Sequence, residues 1–183
     1  MSQRIPCFLL EPTEVAEVSL RRFTFEGCTK SWGHDAKVIL GQVPYSLANE
    51  LDGEAQIAVD HGDPRWPPRC VACGYAFVEG DEWYVNKTRL YRRPETGELM
   101  PLNRAPAGAM WLASWLREMG DFRSPDGNVL VLRTPGGDWV VDGPASGGGY
   151  WTRSGTPPKV TATPSIVCGS YHGWLRDGYL EEC

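Results

Sequence analysis

The segment Cys70-Val71-Ala72-Cys73-Gly74 is the most informative stretch of this 183-residue chain. Two cysteines separated by two residues can hold one metal ion when the chain turns sharply between them. A glycine directly after the second cysteine permits the positive φ of such a turn. A structural zinc ion takes four protein ligands, and the downstream residues Cys168 and His172 have a spacing that suits convergence on one ion. The sequence therefore predicts one structural zinc ion per chain, bound by Cys70, Cys73, Cys168 and His172.

The remaining cysteines offer weaker candidates for metal binding. Cys183 follows a predicted turn at Asp177-Gly178 and is a reserve ligand. Cys28 and His34 form a second possible pair, although a lone cysteine–histidine pair of this spacing is more often without metal. Cys7 lies in an apolar run and is expected in the core.

Two other interpretations of the cysteines compete with zinc binding. Cysteines are often buried simply as small apolar residues. Alternatively, Cys70 and Cys73 resemble the redox pair of thioredoxin-like proteins, but no predicted helix begins at Cys70 to lower its thiol pKa. Zinc binding is the preferred hypothesis because a second cysteine–histidine pair is present.

Composition and charge restrict the class of protein. Hydrophobic residues make up 42% and charged residues 22%, which is typical of a folded globular chain. The net charge of −5 argues against a general nucleic-acid coat, which needs a positive field. We find no secretory signal pattern and no apolar stretch of transmembrane length. We therefore expect a reducing cytoplasm, where clustered cysteines bind metal more often than they form disulfides.

Short strands dominate the predicted secondary structure. Apolar residues alternate with polar ones in several segments, and glycine or proline turns separate them. The predicted strands cover residues 15–25, 37–40, 56–59, 82–93, 98–102, 128–133, 138–142, 159–163, 173–176 and 179–180, with a helical turn at 44–51. The turns at residues 94–97, 134–137 and 177–178 predict hairpins.

One segment, residues 107–119, predicts a helix, because Met110, Trp111, Trp115 and Met119 fall near helical spacing and Gly120 follows. Trp111 and Trp115 are expected to share a buried face of this helix. Together the elements predict an α+β fold of mainly antiparallel strands with one clear helix, stapled by zinc. A single domain is expected over residues 1–183, with an N-terminal β region to about residue 60 and a zinc-stapled core over 61–183.

The sequence supports a catalytic site less well than a structural zinc site. His34-Asp35 and Asp60-His61 place an imidazole beside a carboxylate, an arrangement that serves acid–base chemistry or a hydrolytic metal site. The chain contains no H-E-x-x-H, G-x-S-x-G or nucleotide-binding loop sequence. A catalytic zinc keeps one position open for water, whereas the predicted set of four protein ligands is closed.

Several motifs resemble those of a known family. Residues 155–166 (GTPPKVTATPSI), Cys168 and residues 171–178 (YHGWLRDG) resemble the C-terminal signature of a large family of phage and prophage proteins. The segments similar to its actinobacterial phage branch are 63–67, 70–77, 81–83, 90–93 and 108–111. The resemblance covers roughly residues 60–180. Distant relatives look like the metal-binding companions of bacterial ubiquitin-like conjugation genes.

The resemblance implies the same four ligands, Cys70, Cys73, Cys168 and His172. Relatives often carry a longer insert with cysteine and histidine where this chain has only residues 146–150, which argues against a second metal site. We expect a non-enzymatic, zinc-stabilised phage accessory or virion-associated protein that works through protein contacts, in the bacterial host cytoplasm or the virion. The alternatives are a metal-dependent hydrolytic enzyme that uses His34, Asp35 and His61, and a zinc-containing nucleic-acid-binding protein.

Overall fold

The computed structural model describes residues 4–25, 27–46, 62–145 and 147–183. The chain forms two compact units. The terminal unit combines Met1–Glu11 with Tyr91–Cys183, and the central unit is Pro12–Leu90. The expected division near residue 60 does not coincide with either boundary. Whether the chain behaves as the single domain expected from the sequence stays a prediction.

The described residues are folded mainly as strands. In chain order the strands are β1 (Arg4–Pro6), β2 (Phe8–Leu9), β3 (Glu11–Thr24), β4 (His34–Pro44), β5 (Glu82–Arg92), β6 (Leu99–Met100), β7 (Ala109–Leu112), β8 (Leu130–Thr134), β9 (Gly137–Val140), β10 (Thr152–Thr156), β11 (Lys159–Cys168), β12 (Tyr171–Arg176) and β13 (Tyr179–Glu182). Single turns of 3-10 helix occupy Leu102–Arg104 and Ser114–Leu116. No helix among the described residues is long and apolar enough to span a membrane.

The predicted α+β fold with a helix at 107–119 is wrong. The described residues contain no helix of seven or more residues, and the structure is β-rich. The segment instead forms β7, which lies between β2 and β8 in a four-stranded sheet of order β2-β7-β8-β9. Ala109, Met110 and Trp111 are all buried. A strand covered on both faces is apolar at every position, so its sequence resembles that of a buried helix.

The two tryptophans of that segment have different environments. Trp111 is only 3% exposed and belongs to the core, as predicted. Trp115 lies in the 3-10 turn after β7 and is 48% exposed, so the prediction that it is buried is wrong. In a helix, residues four apart lie on the same face, which is why both tryptophans were expected to be buried together. The segment is not helical, so this expectation does not hold.

The predicted hairpins are confirmed. β5 returns as β6, β8 returns as β9, and β11, β12 and β13 form a meander. The predicted strand over residues 15–25 corresponds to β3, and the one over 37–40 lies within β4. Only the first part of the predicted helical turn at 44–51 and none of the predicted strand at 56–59 lies within the described residues.

The terminal unit contains two sheets with a tryptophan-rich core. One sheet has the order β1-β13-β12-β11-β10, and the other is the β2-β7-β8-β9 sheet. Trp139 and Trp151 meet edge to face, with ring centroids 5.2 Å apart, in a cluster of buried aliphatic residues. The buried salt bridge between Arg153 and Asp142 joins β10 to the residues after β9, with 2.6 Å between the charged atoms.

The central unit is built on β3 and β4. These strands pair antiparallel over ten residue pairs, from Val15 opposite Pro44 to Thr24 opposite His34. Leu20 packs with Trp66, whose ring meets that of Trp83 edge to face at 5.0 Å. The end of this hairpin that carries His34 positions the candidate site.

Candidate metal centre

Four potential metal ligands converge in the central unit. The sulfur atoms of Cys28, Cys70 and Cys73 and a ring nitrogen of His34 all lie within 4.8 Å of one another. Cys28 lies in the connection between β3 and β4, and His34 is the first residue of β4. Cys70 and Cys73 belong to the predicted knuckle. This set of three thiols and one imidazole could hold one metal ion.

Backbone hydrogen bonds shape the knuckle and attach it to β4. The amide of Gly74 donates to the carbonyl of Cys70 at 2.9 Å, and Gly74 has the positive φ expected from the sequence, +81°. The Val71 amide donates to the carbonyl of Asp35 at 3.1 Å. In return, the Asp35 amide points at the Cys70 sulfur, 3.4 Å away. The knuckle is therefore held beside the strand that carries His34.

The β3–β4 connection is shaped by packing against a phenylalanine ring. A β-carbon at Gly33 would lie 2.8 Å from both the Phe23 ring and the carbonyl oxygen of Thr24, so only glycine fits without rearrangement. Thr24 pairs with His34, which aligns the two ends of the connection. The loop thereby brings Cys28 back to the start of β4.

The His34 ring is held in one orientation. Its Nδ1 atom lies 3.1 Å from the Cys73 sulfur. One face of the imidazole stacks on Tyr75, with ring centroids 4.1 Å apart and an angle of 11° between planes. A β-carbon on Gly27 would lie 3.5 Å from Nε2, so this nitrogen faces the loop backbone. Nδ1 is therefore the atom that faces the thiols.

The two knuckle thiols have opposite pKa shifts. Burial raises the pKa of Cys70, but backbone amides of Asp35, Cys73 and Ala72 outweigh it and lower the pKa to about 6. At Cys73 the Tyr75 amide lowers the pKa, whereas burial and the neighbouring thiols Cys70 and Cys28 raise it by more. Adjacent thiols cannot all ionise without a compensating positive charge, which a bound cation supplies.

The two halves of the predicted ligand set belong to different units. Cys70 and Cys73 lie in the central unit, whereas Cys168 and His172 lie in the hairpin of β11 and β12 in the terminal unit. Cys168 pairs with Tyr171, so the side chain of His172 points to the opposite face of that hairpin from Cys168. The Cys168 sulfur lies 3.5 Å from the Asp138 carbonyl oxygen, and His172 is exposed. This register does not favour one ion between them, and their predicted metal role stays a prediction.

The other predicted residues have simpler environments. Cys7 packs against the terminal core, and burial raises its pKa to about 12. Cys183 is exposed, and its amide donates to the His172 carbonyl. Asp35 forms a two-pronged ion pair with Arg21 at 2.8 and 2.7 Å. His61 lies outside the described residues.

The sequence alone does not single out Cys28 and His34 as metal ligands. Five residues separate Cys28 from His34, which is more than the two residues between the cysteines of a knuckle. This spacing by itself therefore does not predict a metal site. The available signal was the pair of glycines, Gly27 and Gly33, each directly before a potential ligand. The missing information was the β3–β4 register, which aligns this loop with the knuckle.

An exposed aromatic cluster lies on the same connection. The Phe23 ring is buried beneath Phe25 and Trp32, with centroids 4.6 and 5.0 Å away. Phe25 and Trp32 also contact each other at 5.8 Å and are 62% and 72% exposed. Phe25 lies three residues before Cys28 and Trp32 two residues before His34, so each exposed ring is close in sequence to one candidate ligand.

Comparisons with known proteins add no relative: no protein-family model, no curated protein and no solved structure matches the chain. The resemblance to phage proteins therefore stays a prediction.

Proposed function

We propose that this chain is a non-enzymatic binding protein whose central unit is stabilised by one zinc ion held by Cys28, His34, Cys70 and Cys73. The convergence of these four ligand atoms within 4.8 Å carries the proposal. Thiolate and imidazole ligands suit zinc, and four protein ligands are typical of a structural site. A catalytic zinc site usually has three protein ligands and a water molecule.

The hydrolytic alternative has less support. His34 faces the thiols through Nδ1, and Asp35 is engaged by Arg21, so neither is free to act as a base in this arrangement. The zinc site instead has a structural task. It joins the β3–β4 connection to the knuckle, two segments about 40 residues apart in sequence, and restricts the unfolded chain as a cross-link does.

The binding role rests on the aromatic cluster of Phe23, Phe25 and Trp32 beside the ligands. Removal of large apolar rings from water is favourable, so a partner that covers these rings gains hydrophobic stabilisation. Aromatic residues are also enriched in protein interfaces. Phe25 and Trp32 pack on the buried Phe23, so they form a preorganised surface that loses little conformational entropy on binding. We propose that this surface contacts a protein partner. By the resemblance described above, the chain acts as a phage accessory or virion-associated protein.

Metal analysis of protein purified without added metal tests the zinc site. We expect about one zinc ion per chain, and cobalt substitution should give the visible absorption bands of a tetrahedral site with thiolate ligands. X-ray absorption should detect three sulfur neighbours and one nitrogen neighbour. A coordinated water molecule in place of one protein ligand would support the enzyme instead.

Partner capture from infected host cells tests the protein-contact role. A Trp32→Ala bait should lose the partner while it retains zinc, and a Trp115→Ala bait should behave like the unmodified protein. Trp115 is a suitable control because it is also substantially exposed but lies in the terminal unit. Equal capture by all three baits would contradict a role for the aromatic cluster.

A further inference from the structure

We propose that the metal centre is a redox switch, in which hydrogen peroxide joins Cys28 to Cys73 by a disulfide and the ion is released. This inference rests on the proposed zinc site, because it concerns the same four ligands. It adds regulation to a centre whose proposed role is otherwise structural.

The four ligands differ in their access to solvent. Cys70 is 3% exposed and His34 is 4% exposed, whereas Cys28 and Cys73 are both partly exposed. Oxidation of cysteine depends on thiolate character and on exposure. Metal ligation keeps all three sulfurs deprotonated, so exposure decides which of them an oxidant reaches first. Cys28 and Cys73 are therefore the expected sites of attack.

Distance and backbone bonding favour a disulfide between these two residues. Their sulfur atoms lie within 4.8 Å, and a disulfide requires about 2.05 Å, so a movement of about 3 Å suffices. Cys28 lies in a loop between strands, where such a movement disturbs no strand pairing. Cys70 is more constrained, because its amide donates to the Tyr75 carbonyl at 2.8 Å and its sulfur faces the Asp35 amide.

The reaction proceeds in two balanced steps. The Cys28 thiolate attacks one peroxide oxygen, an S–O bond forms, the O–O bond breaks, and the departing hydroxide takes a proton to become water. The Cys73 thiolate then attacks the sulfenic sulfur of Cys28. The S–S bond forms, the S–O bond breaks, and a second hydroxide leaves and takes a proton. Two electrons pass from the two sulfurs to one peroxide, and the zinc ion does not change its oxidation state.

The product has a weakened metal site. Only Cys70 and His34 remain as ligands, and two ligands are too few for a structural zinc site. The disulfide preserves the link from Cys28 to the knuckle, but His34 loses its metal bond. Trp32, two residues before His34, is then held less firmly, so oxidation should also alter the aromatic surface.

Titration of the zinc-loaded full-length chain with hydrogen peroxide tests the switch. A chromophoric chelator reports free zinc, and mass spectrometry of alkylated peptides identifies the disulfide. We expect one zinc ion released for each Cys28–Cys73 disulfide formed, and full rebinding after reduction by a phosphine and addition of zinc. A Cys183→Ser variant, which lacks the exposed C-terminal thiol, should release zinc at the same rate as the unmodified chain.

Three results would overturn the switch while leaving the zinc site intact. One is retention of zinc under peroxide that fully oxidises Cys183. Another is a disulfide between Cys70 and Cys73, and the third is conversion of the ligands to sulfinic acids without a disulfide. A chain that contains no zinc as purified would instead contradict the proposed function itself.

Discussion

Replacement of Cys28 by serine tests the ligand assignment most directly. The expected result is loss of zinc, because only three of the four ligands remain. Cys28 is partly exposed, so the substitution itself leaves little cavity and its effect on stability reports the metal. The same replacement at Cys168, which the sequence alone predicts to be a ligand, should leave the zinc content unchanged.

The loss of stability expected for Cys28→Ser follows from the length of the loop that the ion closes. A cross-link between the β3–β4 connection and the knuckle closes about 40 residues, which corresponds to about 4 kcal/mol of unfolded-state entropy. A similar value, about 4 kcal/mol, follows from mass action when free zinc is about 1,000-fold above its Kd. For a unit of this size, such a loss lowers the Tm by roughly 15–30 °C.

Calorimetry and elemental analysis should be performed on both variants, with and without a chelator. Cys28→Ser should melt like the chelated unmodified protein and should not respond to chelator. Cys168→Ser should keep one zinc ion and a chelator-sensitive Tm. Loss of zinc by Cys168→Ser or His172→Ala, together with retention of zinc by Cys28→Ser, would refute Cys28 as a ligand and support the ligand set expected from the sequence.

Three further substitutions, two of them with a matched control, test the terminal unit. Trp111→Ala should cost about 3–5 kcal/mol of unfolding free energy because its ring is buried, whereas Trp115→Ala should change it by less than about 0.5 kcal/mol, both measured by chemical denaturation. Asp142→Asn should destabilise by about 1.5–3 kcal/mol, because it removes the buried one of the two carboxylates that pair with Arg153 and leaves only the more exposed Asp126; a change below about 1 kcal/mol would show that the pair is dispensable. Gly136→Ala should cost about 1–3 kcal/mol or more, because its β-carbon would lie 1.8 Å from the backbone carbonyl oxygen of Cys168, the last residue of β11. Gly147→Ala, which has no atom within 4 Å of the added carbon, is the control, and equal thermal melting of the two glycine variants would contradict this packing.

Local sequence predicted the hairpins because turn chemistry is short-range. The stretches around residues 94–97, 134–137 and 177–178 combine glycine with proline, aspartate or threonine, and the strands on either side pair as expected. The helix prediction failed at residues 107–119 for a different reason. Burial of β7 on both faces depends on strands from distant parts of the chain, and this burial removes the alternation that distinguishes a strand from a helix.

The sequence by itself determined that Cys70 and Cys73 form a knuckle, because the spacing of the two thiols and the positive φ of Gly74 are properties of five consecutive residues. It did not determine which distant residues join them. Cys168 and His172 had the more suggestive spacing, yet the pairing of Cys168 with Tyr171 directs them to opposite faces of one hairpin. The long β3–β4 pairing and the contact of the knuckle with Asp35 bring Cys28 and His34 to the knuckle. A metal site assembled from distant segments is decided by strand register, and register depends on the packing of the whole sheet.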